Sequence, residues 1–361
     1  MEERKKILVV DDSALMRRVL CDIINSDKRF LVEAKAKDGL EALELLSKYT
    51  YDAVVLDVNM PNMGGLELLQ ELQKRKIAAR VMMASTDTRD GTETTLKALE
   101  LGAMDFIHKP YDVAHCRQED FVKKVLDILY AVSTARITAF EGKKAPVSPN
   151  EDNERLLKLV NKHLPKNSGR RLIAIASSTG GPKALHEVIP RLPQNIGAPI
   201  LLVQHMPKGF TASLAQRLDE ISEVTVTEAK EGDVLENGHV YIAQGGMHMK
   251  VAEKKNGELY ICYSDEAARE GVKPCANYLF ESFINCSSGC IVCVVLTGMG
   301  ADGTEGIRNL KAEKSIHTIT QNEDSCVVYG MPKSIVKAGL SDQIVPLDQI
   351  AQEILLQVGT C

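Results

Sequence analysis

The chain has 361 residues, 44% hydrophobic and 26% charged, which is the composition of a folded globular protein and excludes global disorder. Its formal net charge of -5 argues against a nucleic-acid binder, and no apolar run approaches the ~18 residues of a membrane span, so neither nucleic acid nor membrane insertion is expected. At about 150 residues per domain, the length predicts two domains with separate cores.

The charged stretch 1–6 does not read as a signal peptide, and the expected location is cytoplasmic. Nine cysteines, odd in number and scattered, fit reduced thiols better than a disulfide framework. The one Cys-x-x-Cys, Cys290 with Cys293, lies in an apolar run. If that run is a strand, the two side chains point to opposite faces, and no metal or redox pair is expected there.

Along the first 130 residues, short apolar runs at 6–10, 53–56, 80–84 and 105–107 read as buried strands. Between them, residues 40–46 and 66–72 carry apolar side chains three and four apart, the mark of helices with one buried face. Strict alternation predicts a parallel sheet covered on both sides. Residues 141–153, with two prolines, a glycine and many charges, read as a linker, inside which 154–164 could form one short helix. A second series of apolar runs follows at 171–176, 199–203, 239–243, 291–296 and 317–320. The predicted domains are therefore 1–130 and 170–361, joined by a linker over 131–169.

Ligand sites of open parallel sheets lie beyond the carboxyl ends of the strands. In the first domain those ends carry Asp11 and Asp12, Asp57, Ser85 and Lys109-Pro110. Asp12, just before a helix, could be only a cap. Three crowded carboxylates would repel unless a cation sat among them, and a hard ion such as Mg2+ is the natural occupant. Lys109 adds a compact positive charge. Such a pocket suits phosphoryl transfer to Asp57.

The set Val9-Val-Asp-Asp-Ser13, Leu56-Asp-Val-Asn-Met-Pro61 with Gly64-Gly65, Ser85 and His108-Lys-Pro110 resembles the response-regulator receiver domain, a flavodoxin-like fold with a five-stranded parallel sheet. The resemblance covers about residues 4–125. It implies that Asp57 takes a phosphoryl group from a chemotaxis histidine kinase, that Asp11, Asp12 and Asp57 hold Mg2+, and that Ser85 hydrogen-bonds the phosphate. It also implies a cis Lys109-Pro110 peptide.

In the second series, Ala174-Ile-Ala-Ser-Ser-Thr-Gly-Gly-Pro-Lys183 runs from a strand into a helix, leaving a serine at the sheet edge near helix N–H groups. These residues alone leave a nucleophile and a phosphate-binding or capping turn equally open. No Gly-x-Ser-x-Gly elbow is present. His205 ends another strand, and Asp302 lies in a glycine-rich loop after the most apolar one. Serine, histidine and aspartate from three strand ends can act as nucleophile, base and orienting carboxylate.

Ser178-Thr-Gly-Gly181, Gln204-His-Met-Pro207 with Gly209-Phe-Thr211, Thr297-Gly-Met-Gly300 with Asp302-Gly303, and Tyr329-Gly-Met-Pro332 together resemble the catalytic domain of the chemotaxis protein-glutamate methylesterases, a doubly wound, Rossmann-like α/β domain. The likeness implies Ser178 as nucleophile in preference to Ser177, His205 as base, Asp302 as orienting acid and the Met299 N–H as an oxyanion donor. It implies hydrolysis of glutamate γ-methyl esters on methyl-accepting chemoreceptors with release of methanol, deamidation of selected glutamines and no cofactor for that step. Because a flexible linker joins a switch to an open-edged site, the unphosphorylated receiver is expected to pack over the Ser178 edge and partly block receptor access, with phosphorylation shifting that arrangement. The chain departs from the family pattern at Ser177, at Ala243-Gln-Gly-Gly246, and at Cys275 and Asn277, where a serine and an aspartate are commoner.

Overall fold

The computed structural model describes residues 3–86, 89–110, 115–136 and 170–360. The chain divides into two compact units, Met1–Lys143 and Lys144–Cys361, each with its own parallel sheet. Among the described residues, no helix is long and apolar enough to cross a membrane.

The first unit has a flavodoxin-like α/β fold. Strands β1 (Lys5–Val10), β2 (Phe30–Ala36), β3 (Ala53–Asp57), β4 (Val81–Thr86) and β5 (Asp105–Lys109) lie in the order β2-β1-β3-β4-β5, all parallel. Helices α1 (Ala14–Ser26), α2 (Gly39–Lys48), α3 (Gly65–Lys74), α4 (Arg89–Glu100) and α5 (Glu119–Thr134) connect or follow them. Four strands coincide with the apolar runs. The remaining one, β2, escapes that signal because it is an edge strand in which only Phe30 and Ala36 are buried. Ser13, not Asp12, caps α1, its hydroxyl accepting the Met16 N–H at 3.3 Å. In α5 the buried residues Val125, Ile128, Leu129 and Val132 keep the helical spacing to Thr134, past the boundary expected at 130. The proposed linker helix at 154–164 lies outside the described residues.

The second unit is a doubly wound α/β domain. Its seven-stranded parallel sheet has the order β14-β13-β12-β6-β7-β9-β8, from β6 (Arg171–Ser177), β7 (Ile200–Gln204), β8 (Thr225–Glu228), β9 (His239–Ile242), β12 (Cys290–Val295), β13 (His317–Gln321) and β14 (Gln343–Val345). An antiparallel hairpin, β10 (His248–Glu253) with β11 (Leu259–Ser264), stands apart from it. Helices α6 (Gly181–Val188), α7 (Phe210–Asp219), α8 (Ala276–Ser282), α9 (Thr304–Glu313), α10 (Met331–Lys337) and α11 (Ile350–Thr360) complete the unit. The chain winds outward from β6 through β7, then crosses to β12 on the other side. Strand order therefore reverses beside β6, where open α/β sheets place their ligands.

Every residue of β12 is buried, as expected of a central strand covered on both faces. Period-two alternation sends Leu172, Ala174 and Ala176 of β6 into one cluster with Leu201, Val203, Cys293 and Val295, sealed by Leu279, Phe280 and Phe283 from α8 and the short turn after it. The edge strands β8 and β14 and the hairpin had no clear apolar run to announce them. Seven described cysteines carry free thiols, whereas Cys290 departs from the reduced-thiol expectation and is disulfide-bonded.

The cis Lys109-Pro110 peptide is not found; among the described residues the cis bond is Lys273-Pro274. Trans is the default for X–Pro bonds by about 0.5–1 kcal/mol, and Lys109 makes its contacts from the trans chain.

Helices α8 and α9 approach so closely that a Cβ on Gly306 would lie 2.7 Å from the Asn277 Cα and 2.8 Å from its carbonyl oxygen. Backbone cannot swing aside like a flexible side chain. Gly306→Ala is therefore expected to destabilise the second unit by about 1–3 kcal/mol in denaturant melts. An unchanged midpoint would contradict this packing.

Candidate functional site

In the first unit, Asp11 follows β1, Asp57 ends β3 and Lys109 ends β5, so parallel pairing brings all three to one edge. Oxygens of Asp11, Asp12 and Asp57 lie within 4.8 Å of one another. The buried Lys109 ammonium bridges two of these groups, 2.9 Å from Asp11 Oδ2 and 2.7 Å from Asp57 Oδ1. Asp11 Oδ1 accepts the Ser13 N–H at 2.9 Å, and Asp57 Oδ1 accepts the Val58 N–H at 2.8 Å. Burial raises the Asp57 pKa above the ordinary carboxylate value, with Lys109 only partly offsetting it. Three carboxylates against one ammonium leave uncompensated negative charge, and an all-oxygen donor set suits a hard divalent cation. Ser85 is buried in β4 one residue beyond Ala84, the register partner of Asp57.

In the second unit, Ser178 follows β6, His205 follows β7, and the loop 297–303 follows β12. These strands are neighbours, so three distant segments meet at one edge. The His205 N–H donates to the Ser177 carbonyl at 3.1 Å, and the Ser178 N–H to that of Thr297 at 3.0 Å. A Cβ on Gly298 would lie 2.8 Å from Ser178 Cβ, so the aspartate loop abuts the serine directly.

His205 Nε2 and Asp302 Oδ2 are 2.8 Å apart. An ionised carboxylate only accepts, so Nε2 carries the proton and Nδ1 is left as the basic nitrogen. No hydrogen bond joins that nitrogen to the Ser178 hydroxyl; the structure brings Ser178 to the adjacent strand end but bonds only His205 to Asp302.

Asp302 is 2% exposed and receives five donors. Oδ1 accepts the N–H groups of Asn277 at 3.0 Å and Gly303 at 2.8 Å, and the Cys275 thiol at 3.0 Å. Oδ2 accepts the Ala276 N–H at 2.7 Å as well as His205. Burial pushes its pKa up, but the bonds from His205, Cys275 and Ala276 outweigh that, and the carboxyl is held below the usual value. Asn277, itself buried, extends the cradle by accepting the N–H groups of Gly303 at 3.1 Å and Gly306 at 2.7 Å. Residues 275–277 were noted in the sequence only as departures from a pattern. Their signal was a polar residue, Asn277, in the first turn of a helix that buries Ala276, Leu279 and Phe280.

Gln204 was also missed as a contributor. It is 2% exposed; its Oε1 accepts the Ser177 hydroxyl at 2.7 Å and its Nε2 donates to the Ser178 carbonyl at 3.0 Å. A glutamine closing an apolar strand needs buried partners, which is the clue it offered. Ser177 is thus fully buried and its hydroxyl engaged, whereas Ser178 is partly exposed. Met299 is 37% exposed at the same edge, and its N–H donates no hydrogen bond among the described residues.

Comparison with known proteins divides the chain in the same way. The response regulator receiver domain model matches residues 7–119, and the CheB methylesterase model matches 173–354. The protein-glutamate methylesterase/protein-glutamine glutaminase 1 of Syntrophomonas wolfei is 43% identical, over 98% of this chain and 99% of its own length. The protein-glutamate methylesterase/protein-glutamine glutaminase of Bacillus subtilis is 40% identical, over 97% of each. Among solved structures, the CheB methylesterase catalytic domain of Thermotoga maritima is similar at 40% identity and a TM-score of 0.49, covering 52% of this chain and 98% of that one.

The raised pKa of Asp57 has a consequence for stability. A proton binds the folded form more tightly, so this contribution is present below the unfolded value and is lost as pH rises through the folded one. In cation-free buffer at pH 7, Asp57→Asn is expected to unfold at higher temperature than the parent chain in the transition of the first unit. A melt at or below the parent temperature would show that the charge is not a burden there.

Proposed function

Since the chain belongs to the CheB methylesterase family of hydrolases and carries a response-regulator receiver domain, we propose that it hydrolyses glutamate γ-methyl esters on methyl-accepting chemoreceptors. The observation that carries the reading is the hydrogen bond between His205 and buried Asp302, set at the sheet edge that also holds Ser178.

His205 Nδ1 takes the proton of Ser178 as Oγ attacks the ester carbonyl, forming the new C–O bond. Negative charge on the tetrahedral oxygen is met by the free Met299 N–H, a donor fixed before the reaction begins. The imidazolium, steadied by Asp302, returns its proton to the departing methoxide, and methanol leaves. Water, deprotonated by the same nitrogen, then attacks the acyl-enzyme, and collapse releases the glutamate carboxylate and restores Ser178. A glutamine side chain follows the same path with ammonia as leaving group. The relatives named above as glutaminases support this second substrate.

The domain division proposed is a receiver over 1–130, a linker over 131–169 and a catalytic domain over 170–361. The two compact units and the matched ranges support it, and α5 carries the receiver a few residues further, to Thr134. In the receiver, Asp57 accepts the phosphoryl group from a chemotaxis histidine kinase. Asp11, Asp12 and Asp57 would hold Mg2+, which supplies positive charge against the phosphoryl oxygens when bound. Lys109 adds charge of the same sign, and Ser85 hydrogen-bonds the phosphate. Phosphorylation brings about -1.5 to -2 charges to the pocket, and this shifts the chain toward its active arrangement.

Methanol release from methylated receptor tests the nucleophile. Ser178→Ala is expected to lower kcat by about 10³-fold or more, whereas Ser177→Ala retains most activity. The opposite result would move the nucleophile to Ser177. Regulation is tested on the full chain with a small phosphodonor and Mg2+, which together should raise the rate. Asp57→Asn should abolish that response while keeping basal activity. An unresponsive parent chain would refute control through the receiver.

A further inference from the structure

Resting on the esterase reading, we propose that Cys275 is a positioning residue whose thiol, donating to Asp302 Oδ1, tempers the negative charge that Asp302 presents to His205.

The thiol is held where it can do this and little else. Cys275 is fully buried, its Sγ lies 3.0 Å from Oδ1, and the two residues after it bind the same carboxylate through their N–H groups. Rotation of the side chain away from Asp302 leaves the carboxylate short of a donor inside the protein. The sulfur is a free thiol. Burial, and then the charge of Asp302, push its pKa up, so it stays protonated and acts as a donor across the working range.

A thiol is a weaker donor than a hydroxyl. The carboxylate therefore keeps more of its charge facing Nε2 than it would beside a serine, and less than it would beside an alanine. Charge on Asp302 stabilises the imidazolium, so the order of donor strength at 275 becomes an order of His205 basicity. Cysteine sets an intermediate value, with the base stronger than serine would make it.

Other titratable groups around the pair are accounted for. Before α8, Glu270 is engaged by the Asn277 side chain, Arg269 pairs with Glu281 and Lys273 with Asp265. After β7, Lys208 is exposed; at the start of α9, Glu305 pairs with Arg308; Lys333 of α10 is exposed. Among the described residues none of these hydrogen-bonds His205 or Asp302, and Cys275 is the side chain besides His205 that donates directly to the carboxylate.

The test uses the full chain and two variants, Cys275→Ser and Cys275→Ala. The His205 ring titration is followed by NMR, assigned with His205→Gln, alongside the pH profile of methanol release. Cys275→Ala should move the ring titration and the acid limb of kcat upward by about half a unit to one unit, and Cys275→Ser should move both downward. The plateau kcat of Cys275→Ala should fall about tenfold or less with KM unchanged, a small part of the ~10⁴-fold attached to an orienting carboxylate, and Cys275→Ser should restore it. Titrations that do not move, or that move the same way in both variants, would overturn the proposal. If Cys275→Ala fails to fold, the downward shift in Cys275→Ser decides. The ring titration needs no substrate. Ordered shifts in a chain that released no methanol would refute the esterase reading alone, and methanol release with unordered shifts would refute this proposal alone.

Discussion

A single buried carboxylate organises the strand-end edge of the second unit that holds His205 and Ser178. Asp302 can be ionised in the interior only because five donors converge on it, and those donors come from three separate segments: the histidine after β7, the approach to α8 and its own loop. Desolvating a carboxylate without such compensation would cost several kcal/mol. Satisfying Asp302 therefore fixes the relative placement of β7, α8 and the loop after β12. Its depressed pKa makes this a contribution to folding that is present above the unfolded value and lost as pH falls through the folded one. Orientation of the imidazole and local stability are the same set of bonds.

The first unit treats a carboxylate at an equivalent strand end in the opposite way. Asp57 is also buried, yet beside it stand two further carboxylates and one ammonium, and its pKa is raised where that of Asp302 is lowered. One site has spent its donors to hold a charge still. The other is left with carboxylates in excess of cationic partners among the described residues. Carboxylates of identical chemistry thus end with opposite pKa shifts through their surroundings.

Much of this was legible in the chain because parallel sheets impose simple rules. Buried strands are uniformly apolar, so β1, β3, β12 and their like stood out, and the polar residues that ended them had to share an edge. Edge strands such as β2 and β14 were not legible, since one exposed side admits polar residues and dissolves the pattern. Asp302 and His205 could be placed at a shared sheet edge by type and position, whereas the choice of Ser178 over Ser177 rested on the family likeness. The cradle could not be placed, because backbone N–H groups of residues 276 and 277 carry no side-chain signature, and because tertiary packing decides which loop lies over which. Asp12 shows the reverse case: the sequence left it open as a helix cap, and the Ser13 hydroxyl took that place instead.

The two sheets share no strand, and each closes its own core. Loss of order in one does not by itself dissolve the ladder of the other, so the whole chain need not obey a two-state law, and one melting temperature would describe neither half. A lesion confined to the core of the first sheet would then lower one transition and leave the other in place, and one in the second would do the reverse. Inherited damage to such a chain would sort into two phenotypes according to which sheet it struck.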